Sequence, residues 1–143
     1  MKVGYAVLYI AGTLVISKNH NLLQKSIIKD YGEFEDTDVP WKKESIKIKK
    51  VQILDYVKSN CMKEWFKNCK YLTTLIDFKN LDVSDCTDFS FMFCNSFKSF
   101  NDLHLSNIHE KSVQSDTSKF LKSIKVFKYL QFLNHSFIQF DFT

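Results

Sequence analysis

The side chains in this 143-residue chain best suited to chemistry are four cysteines, four histidines and a scatter of aspartates. Cys61 and Cys69 stand eight positions apart, as do Cys86 and Cys94, and 25 positions separate the two pairs. Zinc sites usually draw their thiolates from pairs only about two to four residues apart, so this spacing points away from a metal. Two other states remain open. The cysteines could form two disulfides in an exported protein, with three possible connectivities, or stay as free thiols inside a core. The histidines are His20, His104, His109 and His135. His104 and His109 lie five apart, a spacing that fits no metal-binding helix, and both read as surface residues. The chain has no Gly-rich phosphate loop, no nucleophile elbow and no paired carboxylates with a supporting base. Asp77, Asp82, Asp85, Asp88 and Asp102 read as turn and cap residues. We therefore expect no enzyme, no metal and no cofactor.

What would position these residues is an internal repeat. Ile76-x-Phe78-x-Asn80 recurs 27 positions on as Leu103-x-Leu105-x-Asn107, and again as Leu130-x-Phe132-x-Asn134. Phe66, Phe93 and Phe120 keep the same spacing, and Leu54-Asp55 anticipates Leu81-Asp82. A fixed period of this size signals stacked units. An apolar-x-apolar-x-Asn block alternates with period two, as a short strand does. Its Asn can bond backbone groups left open where the chain leaves the strand, so Asn80, Asn107 and Asn134 would form a ladder. Met62, Trp65 and Phe66 sit at i, i+3 and i+4, as do Phe89, Met92 and Phe93. That spacing puts each trio on one face of a short helix packed into the core. Thr87 and Asp88 would cap the second helix, and Asp116 or Thr117 a third around Phe120, Leu121 and Ile124.

The expected fold is an α/β solenoid: a short leucine-rich-repeat array of helix–strand units of about 27 residues. Residues 1–53 would be a β-rich N-terminal cap and residues 54–143 the repeats, with a worn last unit. Phe137-x-x-Phe140-x-Phe142 would be a strand closing or extending the sheet.

These residues also resemble a known family. Val83-Ser84-Asp85-Cys86-Thr87-Asp88-Phe89-Ser90-Phe91-Met92-Phe93 resembles the "DVSNVTDMSYMF" signature of BspA-like leucine-rich-repeat surface proteins. Phe100 to Asn107 is similar to the family's "SFNQDLSNWD", and Trp65 to Leu75 to its "WFYGCSNLTTI". Upstream, Tyr5 to Leu8, Gly12 to Ile16, Pro40-Trp41 and Ser45 to Lys47 resemble the segment before the repeats. The likeness runs from about Tyr5 to Asn107. It departs at Cys86, at Phe89 and at Ile108 to Lys111, and relatives usually carry many more repeats. The resemblance implies a surface or secreted protein that binds host or neighbouring-cell proteins, and it carries no catalytic residues.

Composition narrows the choice further. All 20 basic residues are lysine, and the net charge is +4. Bidentate recognition of phosphates and guanine edges favours arginine, so we expect no nucleic-acid partner. No apolar run approaches the roughly 18 residues of a membrane span. Lys2 followed by Tyr5 to Ile16 has the charge and length of a secretory signal but lacks a clear cleavage site. Its β-branched residues and the Ala11-Gly12 turn suit a hairpin, and the family resemblance places one there. Lys42, Lys43, Lys47, Lys49 and Lys50 form the densest basic run. It reads either as a patch for an anionic surface or as the solvated face of a strand pair burying Ile46, Ile48, Val51 and Ile53. We expect the second.

The expected recognition surface comprises the side chains between the ladder's apolar residues: Asp77, Lys79, His104, Ser106 and Gln131. The partner would be a protein, with end-to-end self-association through an open terminal unit also possible. The competing expectation is an intracellular protein-interaction module in the cytoplasm, which free cysteines would fit.

Overall fold

A computed structural model describes residues 1–20, 26–96, 104–106 and 141–142 of the chain. Strands β1 (Lys2–Tyr9) and β2 (Thr13–Ser17) form an antiparallel hairpin in which Tyr5 faces Ser17 and Leu8 faces Leu14. The expected turn is there, with Gly12 at φ +89°. Strand β3 (Ile27–Glu35) pairs antiparallel with the other edge of β1. On the β2 side every further strand is parallel: β4 (Lys50–Ile53), then β6 (Thr74–Ile76), β8 (His104–Ser106) and β9 (Asp141–Phe142). The result is one mixed sheet in the order β3-β1-β2-β4-β6-β8-β9. Strands β5 (Val57–Lys58) and β7 (Leu81–Asp82) make a separate parallel pair. The sheet runs through position 53 without a break, since β4 pairs with both β2 and β6.

Alternation along the strands defines the core. Leu8, Leu14, Val51 and Leu75 stand in one register row across the inner face, and Ala6, Ile16 and Ile53 in the next; all are buried. Each large aliphatic side chain buried in this way contributes roughly 1.5–3 kcal/mol. The layer covering this face is aromatic. Phe34, Trp41, Trp65 and Phe66 pack ring against ring, with Trp41 edge-on to Trp65 at 5.7 Å and to Phe34 at 5.0 Å. The ring of Phe93 stacks on Phe66 at 5.6 Å. Both indoles are buried, and both N–H groups are satisfied. Trp41 Nε1 donates to the Trp65 carbonyl at 2.6 Å, and Trp65 Nε1 to the Asp36 carbonyl at 3.0 Å.

The helix–strand solenoid expected from the sequence is not what forms. Among the described residues there is no α-helix, only two short 3-10 helices, Lys42–Lys47 and Phe78–Asn80, beside the mixed sheet. Met62, Trp65, Phe66, Met92 and Phe93 are buried as the i, i+3, i+4 pattern requires. They are carried instead on a ribbon of consecutive turns. Glu64 and Asn68, and Phe91 and Asn95, all have positive φ, which interrupts a right-handed helix every fourth residue. The N–H groups of Met62, Glu64, Phe66 and Asn68 leave their own turns and donate to the carbonyls of Asp88, Ser90, Met92 and Cys94. Those of Trp65, Lys67 and Cys69 turn back to the residue three before. A four-residue turn repeat puts the same side chains inward as a helix would, so spacing alone cannot tell the two apart.

The offset between neighbouring segments is not constant either. Lys50 pairs with Thr74, 24 positions on. Cys61 pairs with Asp88, 27 positions on. Thr74 pairs with His104, 30 positions on. The Ile76-x-Phe78-x-Asn80 block is not a strand. Strand β6 ends at Ile76, Asp77 adopts the left-handed conformation at φ +58°, and Phe78–Asn80 is a 3-10 turn. The reading of Lys42–Ile53 as a strand pair also fails in its first half. Lys42–Lys47 is a 3-10 helix, and Ile46 is 57% exposed, whereas Ile48, Val51 and Ile53 are buried. Phe142 does lie in a strand that extends the sheet, while Phe137 and Phe140 lie outside the described residues, as does the third cap at Asp116 or Thr117.

Two substitutions test this packing by urea unfolding. Trp41→Ala should cost about 3–5 kcal/mol, because it empties the centre of the aromatic layer. Gly4→Ala should cost about 1–3 kcal/mol, because a β-carbon there collides with the Ser17 carbonyl oxygen across the hairpin. A wild-type midpoint for Gly4→Ala would contradict the close β1–β2 approach.

Candidate binding face

The outer face of the sheet has two halves. Over β1 and β2 it is closed, because Val7, Tyr9 and Val15 are buried there with Ile27 and Leu54 packed against them. Past β2 it opens. Lys50 is exposed, and Gln52, Thr74 and Ile76 are half-buried. Register aligns Val15, Gln52, Ile76 and Ser106 in one row, and Thr13, Lys50, Thr74 and His104 in the next. A short run of alternating strand thus becomes a ruled surface, with one residue of each row contributed by each strand.

Of the five residues expected to form a recognition surface, Asp77 sits at the end of β6, where its carboxylate accepts a hydrogen bond from Gln52 Nε2 at 3.3 Å. His104 and Ser106 occupy β8 at the register positions beside Thr74 and Ile76. Lys79 is exposed on the 3-10 turn, past the corner that ends the strand. Gln131 lies outside the described residues, as do Asn107 and Asn134. Asn80 Nδ2 donates to the Ile53 carbonyl at 2.9 Å, reaching the chain 27 positions earlier. From the sequence, Gln52 and Thr74 have no assigned role, Lys50 has a place only in the basic run, and Ile76 has a place among the repeat's apolar residues. Their signal was the alternation of Lys50-Val51-Gln52-Ile53, which shows which side chains point outward but not which strands lie beside them.

The charged groups elsewhere hold one another. Tyr56 OH donates to Asp82 Oδ2 at 2.6 Å, and this bond raises the tyrosine pKa above its ordinary value. Lys58 Nζ lies 2.5 Å from Asp85 Oδ2, whose hydrogen bond raises the lysine pKa. Both groups keep their protons more firmly than usual, so neither is tuned as a base. Asp82 accepts from the Ser84 N–H at 2.8 Å. Asp88 accepts from the Ser90 hydroxyl and N–H at 2.6 and 2.9 Å, bonds that lower its pKa. These are local turns and not the α-helix cap expected of Thr87 and Asp88; Asp102 lies outside the described residues.

All four cysteines are free thiols. Two of them exchange places with serine 27 positions away. Ser59 Oγ donates to the Cys61 carbonyl, and Cys86 Sγ to the Asp88 carbonyl. Cys69 Sγ lies 3.9 Å from the Lys67 carbonyl, and Ser96 Oγ donates to the Phe93 carbonyl. A small side chain with a weak donor closes the turn in each case. Burial pushes the Cys69 thiol up to about 12 and, as the largest influence, the Cys86 thiol up to about 11. Neither is an activated nucleophile. Among the described residues no three His, Cys, Asp or Glu side chains converge as metal ligands. No described helix is long and apolar enough to cross a membrane. Comparison with protein-family models, curated proteins and solved structures finds no match.

The raised thiol pKa values fix a pH dependence. Each of these two thiols, Cys69 buried and Cys86 half-buried, favours the folded state while it is protonated in both states. That contribution is full below the unfolded thiol's pKa of about 8.5 and shrinks as pH climbs toward the folded values of about 11 and 12. Urea midpoints should therefore fall between roughly pH 9 and 11, and Cys69→Ser should flatten part of the fall. An unchanged slope in Cys69→Ser would remove that thiol from the account. At Asp77, Asp77→Val should destabilise by about 1–2 kcal/mol more than Asp77→Asn, since a β-branched residue resists positive φ.

Proposed function

We propose that this chain is a non-catalytic binding protein that recognises a protein partner through the open half of its outer sheet face. The observation that carries this reading is the register-aligned outer surface of β4 and β6, where Lys50 is exposed and Gln52, Thr74 and Ile76 are half-buried. It mixes a cation, an amide, a hydroxyl and an aliphatic group, with Asp77 held by Gln52. A rigid strand face of mixed polarity suits protein recognition, where polar contacts surround a few apolar anchors. Likeness to BspA-like surface proteins in the Val83–Phe93 motif supports display at a cell surface, with host or neighbouring-cell proteins as partners. A second reading is an intracellular protein-interaction module, which the four free cysteines favour because reducing compartments keep thiols unpaired.

Two measurements decide between these. The first is protease shaving of intact source cells carrying a C-terminally tagged chain. Loss of the tag while a cytosolic control survives supports the surface reading. Protection until lysis replaces it with the intracellular one. The second is photocrosslinking from position 52, which should trap one discrete partner. Changing Gln52, Ile76, Asp77, His104 and Ser106 together to Ala should weaken that complex at least about tenfold. Full affinity in this variant would discard the strand face as the site.

A further inference from the structure

The edge of the sheet where β2, β4 and β6 begin carries exposed apolar and aromatic side chains set among lysines. Ile10 is 65% exposed on the β1–β2 turn, Ile46 57% exposed on the first 3-10 helix and Tyr71 45% exposed before β6. Backbone contacts bring these three segments together. The Gly12 carbonyl accepts from the N–H groups of Lys49 and Lys50 at 2.7 and 3.1 Å, and the Lys49 carbonyl accepts from Thr73 at 2.8 Å. The first two segments press closely, because a β-carbon on Gly12 would lie 2.9 Å from the Lys47 carbonyl and 3.0 Å from the Lys49 side chain.

Lys47, Lys49 and Lys70 are exposed on the same segments. Among the described residues none of them joins an ion pair. The acid closest to them in sequence, Glu44, is buried and engaged by Lys29 and the Tyr31 hydroxyl. Among the described side chains the edge is therefore cationic without local compensation, and its most prominent points are apolar.

We propose that this edge is a peripheral docking surface for an anionic lipid bilayer. Charge complementarity selects the anionic partner, and the isoleucines select a bilayer over other polyanions. Two branched aliphatic tips can enter the headgroup boundary, where they gain the hydrophobic transfer energy that a solvated nucleic acid or acidic peptide does not offer. Lysine stems lie along the interface with the ammonium groups at the phosphate level. The absence of arginine from the chain fits a diffuse anionic surface better than a bidentate phosphate pocket.

The test is cosedimentation of the full chain with phosphatidylcholine vesicles, with and without phosphatidylserine. Partitioning should rise at least about tenfold with phosphatidylserine and fall as salt is added. Lys47→Glu with Lys49→Glu should cut it by about tenfold or more. Ile10→Ser with Ile46→Ser should cut it by a similar factor, and both variants should keep the wild-type urea midpoint because every altered side chain is exposed. Lys79→Glu, at the far end of β6, should bind as wild type does. Equal partitioning onto neutral vesicles, or none onto anionic ones, overturns the proposal. So does full binding by the isoleucine variant, which would mark a contact for nucleic acid or an acidic protein.

Discussion

Two indole N–H groups hold this structure in one arrangement. Trp41 and Trp65 are large, rigid and buried, and each carries one donor that must find an acceptor inside the protein. An unmet donor there would cost about 1–3 kcal/mol. The acceptors are main-chain carbonyls of other segments, Trp65 for the first indole and Asp36 for the second. The segment after β3, the approach to the first 3-10 helix and the turn ribbon are thus tied in sequence. The Asp36 carboxylate adds a third tie by accepting from the Asn60 N–H at 3.0 Å. With those segments set, the aromatic layer closes over the inner face of the sheet.

The turn ribbon is the second consequence. A helix would satisfy its own N–H groups and leave neighbouring segments joined by side chains alone. Here half of the ribbon's N–H groups are spent on the next segment, from Met62 to Asp88 through Asn68 to Cys94. The segments are therefore linked through the backbone, and aromatic stacking between Phe66 and Phe93 supports the same alignment. Small side chains are required where the turns close, which explains why Ser59 and Cys86, and Cys69 and Ser96, can exchange type. Cys69 and Cys86 are parts of this packing.

Much of the core was legible in the sequence. The hairpin at Ala11-Gly12, the burial of Met62, Trp65, Phe66, Met92 and Phe93, and the inward set of Ile48, Val51 and Ile53 follow from alternation and spacing. The helices did not follow, because a four-residue turn repeat and an α-helix bury the same positions. Positive φ at Glu64, Asn68, Phe91 and Asn95 decides between them, and Glu and Phe give no hint of that conformation. The surface was only partly legible. Asp77 was visible as a turn residue, but its partner Gln52 lies 25 positions away, and only the β4–β6 register brings them together.

What the sequence determined alone was most of the set of residues that avoid water, Ile46 excepted, because hydrophobic burial depends on side-chain type and local period. It also determined where the chain can turn and the lysine-only basic character. The tertiary structure decided how the backbone is bonded: turn ribbon over helix, offsets of 24, 27 and 30 positions over one repeat, and Ile46 outward over inward. Those choices depend on hydrogen bonds between residues far apart in the chain. Their energies belong to the assembled segments together, and no single segment carries them in its own pattern.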